Sequence, residues 1–159
     1  MFLFVLGLFS CEKESVLPST DSNLKASMND ENWVSTTTWA TYSKKEQKFY
    51  INASKHNSKY SQEEELSMSF EMKDLTQPTV INQFSSEWVY IIGGDAIADR
   101  YELDPSDINE IRITSINTTK RQIAGTFSIR LARDERFVFK SNTFHLTKGH
   151  FSVTYSEIE

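Results

Sequence analysis

Glu65-Leu66-Ser67-Met68-Ser69-Phe70-Glu71-Met72 decides the fold. Its apolar residues, Leu66, Met68, Phe70 and Met72, fall at every second position, with Glu or Ser between them. In an extended chain residues i, i+2 and i+4 share a face, so this stretch reads as a strand with one buried and one wetted side. The same alternation recurs outward in both directions. Upstream it runs through Leu24, Ala26 and Met28, then Phe49, Ile51 and Ala53. Downstream it runs through Ile123, Gly125, Phe127, Ile129 and Leu131, then Phe137 with Phe139, then Phe151, Val153 and Tyr155. Half-wetted strands of this kind build antiparallel sheets, whereas strands buried on both faces read as unbroken apolar runs. Eleven Phe, six Tyr and three Trp against five Gly and three Pro also favour strand over helix.

Polar turn signals separate the strands. Asn29-Asp30-Glu31-Asn32 precedes Trp33, Ser43-Lys44-Lys45-Glu46 precedes Lys48, and 55–62 reads as a longer polar loop. Thr118-Thr119-Lys120-Arg121 and Ala132-Arg133-Asp134-Glu135 have hairpin length, and Gly93-Gly94 suits a hairpin turn between 88–92 and a strand leading to Tyr101. No segment keeps a 3.6-residue period over ten residues. The best helical candidate is one turn at Pro105-Ser106-Asp107-Ile108, with Asp104 as its cap. The expected architecture is therefore all-β: a single antiparallel β-sandwich or flattened, calycin-like barrel of about nine or ten strands. Residues 24–159 form the domain.

The amino-terminal end carries a different message. Phe2-Leu3-Phe4-Val5-Leu6-Gly7-Leu8-Phe9 is too short to cross a bilayer, which takes about 20 apolar residues, but it fits the apolar core of a signal peptide. The run ends in Ser10 and then Cys11, the only cysteine of the chain. Leu8-Phe9-Ser10-Cys11 resembles the lipobox of bacterial lipoproteins. That resemblance implies a cleaved signal peptide over 1–10 and diacylglyceryl and fatty-acyl groups, palmitate among them, on Cys11. Two or three acyl chains hold a protein on a membrane stably where one holds it marginally. Residues 11–23 are polar without apolar periodicity and read as a flexible tether, with an r.m.s. reach of about 20 Å for a dozen residues.

The net charge of −5 argues against nucleic-acid binding, which requires clustered Lys and Arg, so no nucleic-acid partner is expected. Ile123-Ala124-Gly125-Thr126-Phe127-Ser128-Ile129 and the later run Phe144-His145-Leu146-Thr147-Lys148-Gly149-His150-Phe151-Ser152-Val153-Thr154-Tyr155 resemble the closing strands of a family of Bacteroidetes lipoproteins of uncharacterised function. Those chains run lipobox, polar tether, first strand, an N-x-W-like turn and a closing "I-x-G-T-F-S-F … F-x-I-T-x-G-x-F-x-V-x-Y". Met28-Asn29-Asp30-Glu31-Asn32-Trp33 corresponds to the opening turn, while 55–108 carries little of the likeness. Ile129 stands where a second Phe is usual, and Lys148 where Asn often precedes the glycine. The resemblance implies an outer-membrane, lipid-anchored envelope protein and names no activity.

The same motifs have a direct physical reading. Gly125 within a strand signals a bulge or a close approach beneath a large aromatic. Gly149 suits a positive φ in a turn, and a kinked continuous strand is the other solution. Trp33 after its polar turn reads as a core anchor.

Catalytic and metal signatures are thin. His145 and His150 do not match a metal spacing, and His145 alternates opposite Phe144 and Leu146 onto the wet face. Asp95, Asp99, Asp104 and Asp107 lack the spacing of a calcium loop and read as a solvated acidic loop. Glu63-Glu64-Glu65 suggests half of a glycosidase-like carboxylate pair without nominating its partner. No nucleophile elbow or metalloprotease motif is present, and neither a cofactor nor a metal is expected. Trp39, Tyr50, Trp88 and Tyr90 are the candidate ligand-binding residues. Tyr50 alternates opposite Phe49 and Ile51, and Trp88 opposite Val89, and exposed rings of this kind stack on sugars or anchor partner proteins. The functional expectation is a non-catalytic binding or interaction module of the envelope, anchored to the membrane by lipid, with glycan or an envelope protein as partner. The alternatives are an envelope hydrolase using loop carboxylates, or a carrier of small molecules or lipid if the barrel is open.

Overall fold

The computed structural model describes residues 22–138 and 140–159; Cys11, the signal-like run and nearly all of the tether lie outside them. Eleven strands follow in order: β1 (Asn23–Met28), β2 (Glu31–Val34), β3 (Thr37–Ser43), β4 (Lys48–Asn57), β5 (Gln62–Glu71) and β6 (Thr79–Ile81). They continue with β7 (Phe84–Ile92), β8 (Ala96–Leu103), β9 (Glu110–Asn117), β10 (Gln122–Arg133) and β11 (Thr143–Ile158). They form one sheet of order β2-β1-β11-β3-β4-β5-β7-β8-β10-β9-β6, and β10 also pairs with β11. That last pairing closes a hydrogen-bonded circuit through β11, β3, β4, β5, β7, β8 and β10. The pairs β1–β2 and β9–β6 are appended to it. A sandwich or barrel fits this broadly.

Three expectations change. The sheet is mixed rather than purely antiparallel, because Tyr155–Ile158 runs parallel to Ala40–Ser43. A sequence pattern fixes which residues alternate and leaves the direction of a distant partner open. The described residues form eleven strands rather than nine or ten, the short β2 and β6 being too brief to show a period. The turn at 104–109 is not helical: Asp104 Oδ1 accepts from the Ser106 backbone N–H at 2.9 Å and from its hydroxyl at 2.6 Å, so the carboxylate organises an Asx turn instead.

Turn chemistry sets the register. Asn29 and Asp30 both take positive φ, 48° and 69°, as a two-residue hairpin between Met28 and Glu31 requires. Four-residue loops join β3 to β4, β4 to β5 and β9 to β10. The last residue of each, Gln47, Ser61 or Arg121, is left-handed, with φ of 53°, 47° and 51°. The expected long loop over 55–62 is thus mostly strand, with only 58–61 turning. Gly93 and Gly94 make the expected hairpin turn, φ 70° and 93°. Phe137 and Val138 lie in the connection between β10 and β11 rather than in a strand, and Phe139 is outside the described residues.

Alternation puts one face of nearly every strand inside. Phe49, Phe70 and Tyr155 are fully buried, with Tyr155 edge-on to Phe49 at 5.1 Å. Trp33 is a core anchor, 2% exposed. Each fully buried large side chain contributes about 1.5–3 kcal/mol, so the interior is the main source of stability.

Across β10 and β11, Gly125 faces Phe151 and Phe127 faces Gly149. Each ring lies over the opposing glycine: a Cβ on Gly125 would sit 2.6 Å from Phe151 Cζ, and one on Gly149 would sit 2.5 Å from the Phe127 ring. The close approach expected at Gly125 is therefore real and reciprocated. The positive φ falls on Lys148 (51°), not on Gly149, within a continuous strand whose register shifts nearby.

Candidate functional site

The four nominated aromatics divide between the two faces of the sheet. Trp39 on β3 and Tyr50 on β4 point outward, Trp39 being 45% exposed. Trp39 pairs with Asn52 and Thr41 with Tyr50, so the two rings are diagonal neighbours on one surface. Trp88 and Tyr90 do not join them. Trp88 is fully buried and Tyr90 nearly so, and it is Val89 that takes the outward phase. The run 88–92 is apolar throughout and shows no alternation of its own; its phase follows from Glu87, whose outward position turns Trp88 and Tyr90 inward.

On the outward face, cross-strand pairing lines up one residue from each of five adjacent strands: Trp39, Asn52, Ser67, Glu87 and Glu102. At about 4.8 Å per strand this row spans about 19 Å. Beside it runs a second row, Thr41, Tyr50, Ser69 and Ser85. Small serines in the middle with larger groups at both ends leave a trough of about 720 Å³, lined by Tyr50, Asn52, Ser67, Ser69, Glu87 and Glu102 among others. A pit of about 70 Å³ adjoins it, lined by Trp39, Asn52, Glu65 and Glu87.

The ends of the trough are braced. The Tyr50 hydroxyl donates to Glu46 Oε2, and Lys48 Nζ lies 5.3 Å from the Tyr50 ring centre. Glu87 Oε1 is 3.2 Å from Arg100 Nε. Partial burial, followed by the charges of Glu63 and Glu87, raises the Glu65 carboxyl above its ordinary range. Hydroxyls, an amide, carboxylates and a half-exposed indole form a surface suited to a polyhydroxylated chain, with ring stacking for affinity and polar groups for orientation.

A second constellation closes one end of the interior. Trp33 Nε1 donates to Glu64 Oε2 at 2.6 Å, and Lys140 Nζ lies 3.9 Å from Glu64 Oε1. The same ammonium sits 3.8 Å from the Tyr90 ring centre and 5.2 Å from that of Trp88. Phe144 stacks on Tyr101 at 4.3 Å and meets Trp88 edge-on at 4.9 Å beneath it. The Tyr101 hydroxyl donates to the Ser141 carbonyl at 2.6 Å, and Arg133 donates to the Lys140 carbonyl. The segment carrying Lys140 is thus pinned on both sides, and the network reads as a structural plug.

Other expected positions scatter. Asp99 lies on β8, fully buried, rather than in an acidic loop; Asp104 and Asp107 remain in the loop, and Asp107 pairs with Arg130 at 3.1 Å. Tyr101, next to Asp99 on the inward face, has its phenol pushed up to about 12 by burial and then by the Asp99 charge. His145 and His150 are exposed, and no group of three or more His, Cys, Asp or Glu among the described residues is placed to hold a metal. Sequence reasoning missed Asn52, Ser67, Ser69, Ser85, Glu87 and Glu102. Their only local signal is polarity at outward positions, and what unites them is cross-strand register. Compared with known proteins, the chain matches no family model, no curated protein and no solved structure.

Proposed function

We propose that this protein is a lipid-anchored module of the cell envelope that binds glycan non-catalytically along the outer trough of β3, β4, β5, β7 and β8. One observation carries the reading: the row Trp39–Asn52–Ser67–Glu87–Glu102, with Tyr50 diagonal to Trp39, places an exposed ring and a polar floor on one continuous surface. The lipobox-like Leu8-Phe9-Ser10-Cys11 supports anchoring at the outer membrane, and the likeness of the closing strands to Bacteroidetes lipoproteins supports the same placement. The circuit closed by β10 and β11 supports a flattened barrel over an open sandwich. Among the described residues its inward positions are occupied by rings such as Phe49, Trp88 and Tyr101, which weighs against the carrier alternative.

The test is a glycan array probed with detergent-solubilised protein. Binding of a glycan set, lost in Trp39→Ala and weakened in Tyr50→Ala with thermal unfolding unchanged, is the expected result. Wild-type-like array signals from both variants would refute the site. The hydrolase alternative has one feature in its favour, Glu65 and Glu87 lining the same pit. Release of reducing ends from an array-positive glycan, lost in Glu65→Gln, would replace the binding reading with it.

A further inference from the structure

Like charges stand directly opposite each other in the trough. Glu87 on β7 pairs with Glu102 on β8, a cross-strand arrangement that is unfavourable when nothing lies between the carboxylates. Glu65 occupies the position diagonal to Glu87, since Ser67 pairs with Glu87 and Glu65 with Val89. Glu63 follows on the same face of β5. Arg100, on the same face of β8, is engaged with Glu87 at 3.2 Å, and Arg136, which feels the charge of Glu102, is paired with Asp134. Lys48 lies at the far side, over the Tyr50 ring. Carboxylate therefore exceeds cation along this surface, where Trp39 lines the same pit as Glu65 and Glu87, and Tyr50, Asn52 and serine hydroxyls line the trough beside it.

Resting on the trough reading, we propose that the ligand is a cationic glycan, a polyhydroxylated chain bearing protonated amino groups. Its sugar faces lie on Trp39 and the Asn52–Ser67 floor, and its ammonium groups sit between Glu65, Glu87 and Glu102. Ammonium groups of the ligand add to the partial counter-charge of Arg100, and charge-assisted hydrogen bonds are about twice as strong as neutral ones. Uronate-bearing glycans are rejected by the same carboxylates.

The experiment is calorimetric titration of the full-length, detergent-solubilised protein with three hexamers: chitosan (glucosamine), cellulose (neutral) and galacturonate (anionic). It is run at about pH 5.5, where most carboxylates are ionised. Chitosan hexamer is expected to bind about tenfold tighter than cellohexaose, from exposed charge pairs worth a fraction of a kcal/mol each. The preference should shrink between about 20 mM and about 300 mM salt as the charges are screened. Glu87→Gln with Glu102→Gln should abolish the preference for the chitosan hexamer, whereas Trp39→Ala should weaken binding of both hexamers and preserve the preference. Equal affinity for chitosan and cellulose hexamers, or tighter binding of galacturonate, would overturn the charge inference while leaving the glycan site standing. Binding of none of the three would overturn both.

Discussion

Replacing Gly125 with Ala places a methyl group where there is no room for one. An ideal Cβ there lies 2.5 Å from the Arg112 carbonyl oxygen and 2.6 and 2.9 Å from Phe151 Cζ and Cε1. The ring can shift by a few tenths of an ångström, but the carbonyl belongs to β9, which is laddered to β10 over Gln122–Ser128. Overpacking of this kind costs about 1–3 kcal/mol, and contact with laddered backbone puts Gly125→Ala at the upper end, about 3 kcal/mol. For a domain of this size about 3 kcal/mol lowers Tm by roughly 9 °C. Gly149→Ala meets only Phe127 ring atoms, at 2.5–2.6 Å, and should cost less, about 2 kcal/mol. The two sites also differ in how they can be rescued. Adding Phe127→Leu to Gly149→Ala should recover about 1 kcal/mol relative to the sum of the single changes. Adding Phe151→Leu to Gly125→Ala should recover less, because the carbonyl remains. Urea unfolding of the four singles and two doubles measures each term. Single alanine variants within about 0.5 kcal/mol of the parent would show that the rings do not seat on these glycines.

Lys148 holds a positive φ of 51° that a lysine adopts at a cost, so Lys148→Asn or Lys148→Gly should stabilise the domain by about 0.5–1 kcal/mol in the same urea assay. Iodide should quench Trp39 and leave Trp33 and Trp88 largely untouched, given their exposures of 45%, 2% and 0%. Trp88→Ala should cost about 3–5 kcal/mol, so a mild effect would contradict its burial. The Asp104, Asp107 and Asp134 carboxyls are depressed, Asp134 to about 2, chiefly by the Ser106 hydroxyl, the Ile108 backbone N–H and the Arg136 guanidinium respectively. Their contribution is present above about pH 4 and is lost as pH falls toward about 2. The raised Glu65 acts with opposite sign, disfavouring the folded state as pH rises through its titration. Urea midpoints from pH 2 to 6 should therefore fall on the acid side, less steeply in Asp134→Asn, with Glu65→Gln slightly stabilising at neutral pH. Cys11→Ala should move the protein from the membrane to the soluble fraction, and retention at the membrane would refute the anchor.

Strand existence was legible in the longer strands with one side of the sheet in water. Leu66, Met68 and Phe70 alternate with serines and glutamates, and Ile123 to Leu131 alternates likewise, because only one face must be apolar. Where that asymmetry fades, the reading fails. Trp88 to Ile92 is apolar throughout, so its phase has to be carried over from Glu87, and Asp99 sits on an inward face that an acidic residue would not advertise. The trough was not legible at all beyond Trp39 and Tyr50. Asn52, Ser67, Glu87 and Glu102 are scattered over fifty residues and become neighbours only through pairing register, which no short window of sequence contains. The parallel contact between Ala40 and Tyr155 is unreadable for the same reason.

That parallel contact also has a bearing on how the molecule is made. Tyr155–Ile158 must find Ala40–Ser43 across most of the polypeptide before the circuit shuts, and loops of such length are slow to close. Until then the nascent chain exposes the lateral rims of β3 and β11, each a template for mispairing with another copy. A chain cut short before residue 155 would thus be left unlatched, with both rims open to another copy.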